Sequence, residues 1–343
     1  MQENSGEHGP IVDQLPGGTG RSRIDPDDPA APYFELLSRL RSPLTLRELM
    51  IQTVRSGYIG QGTPIDPKML PPSAEELYPE IGVKPLLVPS PLGRIRCQVF
   101  GPPGEAPRRR MMLYLHGGGF TVGSSEDTAY ITSRIAAEND IIVVSVNYRL
   151  APEWPFPAGL DDALCVLNWM RENGASLGGD SDQIFVAGDS AGANMAAALP
   201  HKARDEGARL PDGVVLLCPI TDFHVEQYPS FERLAPLGII YDTAFVGYIR
   251  GAYVVHHRLW SHPHVSPALG DLRDYPPTVI IAGEVDPIVD DNRAFASKLA
   301  AAGRPVQLLV QPKMPHGFYF FPRLLPAGEA AFEAIRRFFG SAR

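Results

Sequence analysis

The sequence predicts an α/β fold, with a mostly parallel central sheet flanked by helices on both faces. Three observations carry that expectation. Short apolar runs of strand length alternate with longer stretches of helical periodicity from residue 83 to residue 339, as parallel strands joined by crossover helices require. One run, Gln183-Ile184-Phe185-Val186-Ala187, passes through Gly188-Asp189-Ser190-Ala191-Gly192 into the Ala-rich stretch Asn194-Met195-Ala196-Ala197-Ala198-Leu199, which reads as strand, sharp turn and helix. The 343 residues, 44% hydrophobic and 20% charged, suffice for one large α/β domain or two smaller ones.

In chain order, residues 1–29 are rich in Gly, Pro, Asp and Ser, the composition of a flexible leader. Residues 30–78 read as N-terminal cap helices. Apolar side chains recur at helical spacing over 33–40 (Phe34, Leu37, Leu40) and over 45–58 (Leu46, Leu49, Met50, Val54), ahead of a Pro-rich stretch at 63–72. The core is expected over 79–221 and 263–343. Strands at 84–88 and 94–100 bracket the turn Pro89-Ser90-Pro91-Leu92-Gly93 and predict a hairpin. Further strands are expected at 111–115, 141–146, 183–187, 214–218, 278–282 and 306–310, and helices near 128–138, 158–172, 292–302 and 328–339. Between 222 and 262 the alternation stops. Aromatic-rich, helix-like sequence replaces it (Phe231, Tyr241, Phe245, Tyr248, Tyr253, Trp260), which predicts an inserted cap segment over the site.

The formal net charge of −8 argues against nucleic acid or an anionic membrane as the main partner. Cys97, Cys165 and Cys218 lie far apart in apolar segments and read as buried free thiols in a reducing compartment. The first eight residues lack a basic region followed by an apolar stretch, so no signal peptide is expected. No apolar run approaches membrane-spanning length. A soluble cytoplasmic protein is the expectation.

Ser190 stands at the tip of the predicted strand-turn-helix, where a strained backbone exposes a hydroxyl and the helix N-terminus favours developing negative charge. A second match to the same spacing, Gly174-Ala175-Ser176-Leu177-Gly178, follows a helix and runs into what reads as a polar loop, Gly179-Asp180-Ser181-Asp182. With no strand before it and no helix after, Ser176 reads as loop chemistry. A hydroxyl nucleophile needs a base, and the base needs an orienting acid. His316, in Met314-Pro315-His316-Gly317-Phe318-Tyr319, follows a strand-like run in a loop that can return over the sheet. The other eight histidines fit worse. His8 lies in the leader, His201 inside a helix, and His224 just after Asp222. The group His256, His257, His262 and His264 has no cysteine or paired carboxylate at metal-ligand spacing. Asp286, just past the strand at 278–282, is the favoured acid. Glu284 and Asp290 are nearby rivals, Asp290 reading more simply as a helix N-cap. The order Ser190, Asp286, His316 is the α/β-hydrolase order. His116-Gly117-Gly118-Gly119-Phe120 follows the strand 111–115 and lets backbone N–H groups approach a substrate oxygen. With Ala191, the donors are expected from Gly118 and Gly119.

His116-Gly117-Gly118-Gly119-Phe120, Tyr148-Arg149-Leu150-Ala151-Pro152-Glu153, Gly188-Asp189-Ser190-Ala191-Gly192, Asp286-Pro287 and His316-Gly317-Phe318 together resemble the hormone-sensitive-lipase-like esterases, in the bacterial branch with Asp before the nucleophile. The resemblance spans about residues 80–340 and implies an α/β-hydrolase sheet capped by helices, with no metal and no organic cofactor. It also implies that Glu153 and Asp162 brace the site. Trp154 and Ala193 depart from the family pattern beside the pocket. The reading is a serine carboxylesterase for short- to medium-chain esters. An amide, formamide or sugar O-acetyl hydrolase with the same triad is the alternative, and a non-catalytic small-molecule receptor a more remote one. A small-molecule ester is the expected partner, and the resemblance makes a homodimer through the edge strand or cap an option.

Overall fold

A computed structural model describes residues 72–104, 108–237 and 241–341; the leader and the helices expected at 33–40 and 45–58 lie outside the described residues. Its strands are β1 (Gly82–Ser90), β2 (Gly93–Gly101), β3 (Arg109–Leu115), β4 (Ile142–Asn147), β5 (Gly179–Asp189), β6 (Val214–Leu217), β7 (Thr278–Gly283) and β8 (Val306–Gln311). The helices are α1 (Ala74–Leu77), α2 (Ala129–Asn139), α3 (Ala158–Asn173), α4 (Ala191–Asp205), α5 (Pro229–Leu234), α6 (Thr243–Tyr253), α7 (Val289–Ala301) and α8 (Glu329–Ser341). The strands form one sheet in the order β1-β2-β4-β3-β5-β6-β7-β8. β1 and β2 are antiparallel to their neighbours, and every pairing from β4 across to β8 is parallel.

The inner parallel strands are legible as apolar runs because both of their faces are buried. Met111, Leu113 and Leu115 of β3 join one core with Leu160, Leu167 and Met170 of α3 and Met195 and Leu199 of α4. Met112 and Tyr114 point the other way, into a core with Ile131 and Ile135 of α2 and Phe332 and Ile335 of α8. All are essentially inaccessible to solvent, so each large apolar side chain contributes about 2 kcal/mol of transfer free energy.

Three expectations shift. The hairpin turn is only Pro91 and Leu92, because Ser90 already pairs with Gly93; the prolines of β1 are tolerated there because β1 is an edge strand. β5 begins at Gly179 rather than 183. Gly179 pairs with Arg109, and Arg108 draws Asp180 and Asp182 into ion pairs at 3.3 and 3.7 Å, so the polar stretch is sheet, not loop. Of the three free thiols, Cys97 and Cys218 are buried, but Cys165 is half-exposed. It lies on α3 with its Sγ 3.5 Å from the Pro89 carbonyl oxygen.

Between β6 and β7 the described residues of 222–262 contain only helices and turns. Asp222 starts the excursion, accepting from the His224 backbone N–H at 2.9 Å, Gln227 at 2.7 Å and Tyr228 at 3.1 Å. The two stems are tied where the Phe223 N–H donates to Ser266 Oγ at 2.8 Å, and Ser266 in turn donates to the Trp260 carbonyl. Asp242 caps α6, its carboxylate accepting from the Phe245 N–H. From α6, Phe245, Val246, Ile249, Ala252 and Tyr253 are buried, and Tyr253 stacks on Phe120 with ring centroids 3.8 Å apart. That contact lays α6 over the glycine loop after β3. Among the described residues no helix is long and apolar enough to cross a membrane.

Candidate active site

Four chain segments meet at the C-terminal edge of the sheet. The turn between β5 and α4 holds Ser190 at φ 53° and ψ −117°, a conformation that puts its side chain at the tip. The Ser190 N–H donates to the Leu217 carbonyl at 2.8 Å, fixing the turn against β6. A Cβ at position 192 would land on the carbonyl oxygens of Leu115 and His116; only glycine lets α4 start this close to β3. Ser176, by contrast, sits in the 3₁₀ turn Gly174–Leu177 and donates to the Asn173 carbonyl at 2.7 Å.

Asp286 follows β7 and is fully buried. Its Oδ1 accepts from the Ile288 N–H at 3.1 Å, and its Oδ2 lies 2.6 Å from His316 Nδ1. His316 Nε2 is 3.0 Å from Ser190 Oγ. A carboxylate only accepts, so Nδ1 carries the imidazole proton and Nε2 is left to accept from the serine hydroxyl. The loop that carries His316 is held to β7 by the Val285 N–H, which donates to the Met314 carbonyl at 3.0 Å. The rivals point elsewhere. Glu284 accepts from the Lys313 N–H at 2.8 Å. Asp290 is not an N-cap, because α7 starts at Val289; it accepts from the Ser230 N–H at 2.9 Å and from Arg293 at 2.8 Å. Cys218, Asp286 and His316 place donor atoms within 4.8 Å of one another, but the Asp286–His316 hydrogen bond already engages two of the three.

The glycine loop after β3 adjoins the serine turn, its Gly117 N–H donating to Asp189. Gly118 has φ 116° and Gly119 φ 58°, left-handed values that glycine adopts without strain. The Gly118 carbonyl accepts from the N–H groups of Thr121 and Val122, both at 3.1 Å, which turns the loop back on itself. The N–H groups of Gly118, Gly119 and Ala191 have no acceptor among the described residues. They are therefore free to take an incoming oxygen. Beneath them His116 stacks on Tyr148, ring centroids 4.2 Å apart, and its carbonyl accepts from the Tyr148 hydroxyl at 2.6 Å. Burial pulls the His116 pKa down to about 4, which keeps the ring neutral.

Sequence reasoning missed two contributors. Asp189 Oδ1 accepts from the Tyr114 hydroxyl at 2.8 Å and from the Gly117 N–H at 3.0 Å, so it ties the serine turn to the glycine loop. Burial pushes its pKa from 3.8 up to about 6, against the pull of those two donors. Because the folded value is the higher one, this group's contribution to stability is greatest below pH 3.8 and is lost as the pH rises through about 6. Asp189→Asn keeps an oxygen for both donors and removes the charge. Its unfolding free energy relative to wild type should rise between pH 4 and pH 7 by on the order of 2 kcal/mol, read by urea melts. The second is Tyr241, whose hydroxyl is 3.3 Å from Ser190 Oγ; the only signal in the sequence was the aromatic content of 222–262. Of the expected braces, Asp162 takes the backbone N–H and the guanidinium of Arg149 at 2.8–3.0 Å. Glu153 is exposed and no side-chain partner for it occurs among the described residues. Of the other histidines, His264 engages Asp205 at 2.8 Å and His262 packs edge-on against His264.

The sheet order, the serine turn after β5 and the acid and histidine after β7 and β8 define an α/β hydrolase. A family profile described as alpha/beta hydrolase fold matches residues 112–320. The chain belongs to that family, the hormone-sensitive-lipase-like group its motifs resemble. It is 36% identical over 261 residues to carboxylesterase NlhH of Mycobacterium tuberculosis, covering 75% of this chain and 81% of that protein. It is 32% identical over 225 residues to ethyl acetate hydrolase of Pseudomonas putida, covering 64% and 70%. Among solved structures, the hyperthermophilic esterase of the archaeon Pyrobaculum calidifontis superposes with a TM-score of 0.70 at 32% identity, over 76% of this chain and 85% of that one.

Proposed function

We propose that the protein is a serine carboxylesterase acting through Ser190, His316 and Asp286. The observation that carries this reading is the continuous hydrogen-bond path from Asp286 to His316 at 2.6 Å and from His316 to Ser190 at 3.0 Å, next to a glycine loop whose Gly118 and Gly119 amides have no acceptor among the described residues. Ser190 Oγ attacks the ester carbonyl carbon as its proton passes to His316 Nε2, and the Asp286 carboxylate stabilises the imidazolium. The carbonyl oxygen, now an oxyanion, accepts from the N–H groups of Gly118, Gly119 and Ala191, each worth about 3 kcal/mol of transition-state stabilisation. The acyl–oxygen bond to the alcohol breaks as His316 returns the proton to the departing oxygen. A water, deprotonated by His316, then attacks the acyl carbon and releases Ser190 with its proton.

Short to medium acyl groups fit this reading. Phe245 and Ile249 of α6 stand directly against Gly119, which limits room beside the amides, and one relative bears the name ethyl acetate hydrolase. We also infer a cytoplasmic location, supported by three free thiols, and a homodimer through the open edge of β8, which sedimentation velocity tests. The enzymatic reading is tested with p-nitrophenyl esters of rising chain length and a fluorescent phosphonate. Turnover should be highest for short acyl chains, and peptide mapping should find the label on Ser190. Label on Ser176, or no turnover of any ester by folded protein, overturns it.

A further inference from the structure

Ser190 Oγ has a second neighbour that the proposed chemistry leaves unused. The Tyr241 hydroxyl lies 3.3 Å from it, and the residue is almost fully buried. The ring packs edge-on against His316, centroids 4.8 Å apart, and against Phe245 of α6 at 5.3 Å. Burial holds the phenol well above its ordinary pKa, so it stays protonated at any working pH. Because the single proton of Ser190 points to His316, the serine oxygen can only accept from Tyr241.

We propose that Tyr241 is a further catalytic residue, its hydroxyl donating a hydrogen bond to Ser190 Oγ at rest and to the alcohol-side oxygen of the ester as the acyl–oxygen bond breaks. This rests on the serine-esterase reading. In the tetrahedral intermediate the serine oxygen and the departing oxygen share one carbon, and the departing oxygen must face His316 Nε2 to be protonated. A donor that reaches Ser190 Oγ and packs against the His316 ring reaches that same small volume. The bonding electrons of the breaking C–O bond go to the alcohol oxygen, His316 supplies its proton, and Tyr241 keeps its own. The help is therefore greatest for leaving groups that carry most negative charge before protonation, the simple alkoxides, and smallest for stabilised phenolates.

The test compares ethyl and p-nitrophenyl esters of the same short acid on wild type and Tyr241→Phe, which keeps both ring contacts and removes only the hydroxyl. The loss in kcat/KM should be at least about tenfold larger for the ethyl ester. Equal losses on both esters, or no loss on either, overturn the proposal while leaving the serine mechanism standing. If the phenylalanine variant folds poorly, 3-fluorotyrosine placed at 241 gives the second reading. Its stronger donor should raise ethyl-ester turnover relative to the p-nitrophenyl ester, and an unchanged ratio overturns the proposal. Wild-type protein that hydrolyses neither ester sinks the esterase reading and this one together.

Discussion

Replacing Ser190 by alanine is expected to lower kcat by about a million-fold while leaving the thermal midpoint close to that of wild type. Among the described residues the hydroxyl makes hydrogen bonds only to His316 and Tyr241, so its removal leaves the turn held by the Ser190 N–H and the Leu217 carbonyl. The residual rate belongs to the free amides and to substrate binding. His316→Ala should fall to about the same floor, and the double variant no further, because the two side chains act on one proton. Steady-state assays on a short p-nitrophenyl ester read all three. A double variant that falls far below either single one would mean that serine and histidine act independently.

Asp286→Asn is the second large effect, a loss of about ten-thousandfold in kcat at neutral pH. The side chain is fully buried and also accepts from the Ile288 N–H. With that contact on the amide oxygen, the amide nitrogen is turned toward His316 Nδ1. An NH2 there donates, so Nδ1 must accept and the imidazole proton moves to Nε2, which can no longer take the proton of Ser190. The same exchange at Asp290, or Glu284→Gln, should change kcat by less than about twofold, since those carboxylates serve the Ser230 and Lys313 backbones. A large loss at Asp290 with activity kept at Asp286 would reassign the acid.

What the sequence disclosed follows from how far apart the interacting residues are. β3, β4, β6, β7 and the second half of β5 are apolar because they are buried on both sides, and that requirement is written locally, residue by residue. Ser190 is separable from Ser176 because strand and helix flank one and not the other. The positions that escaped are set by partners distant in the chain. Asp189 meets Tyr114 and Gly117 more than seventy residues away, and Tyr241 reaches Ser190 across 51 residues. The polar start of β5 was misread for the same reason, since its strand character comes from Arg109 and its charges are met by Arg108. Asp290 looked like a cap because the backbone turn at Asp286, which starts α7 earlier, leaves no mark in residue type.

The excursion between β6 and β7 is stitched shut at its base, where the Phe223 N–H meets Ser266 Oγ and the Asn194 side-chain amide of α4 donates to the carbonyls of Ile220 and Val265 on its two stems. A part attached in that way is exchangeable. Its length and sequence are constrained at the two stems and not along its whole course, so it answers to different packing demands from the sheet that places Ser190, His316 and Asp286. Tyr241 marks where that independence ends, since it is carried by the excursion yet lies 3.3 Å from Ser190 Oγ.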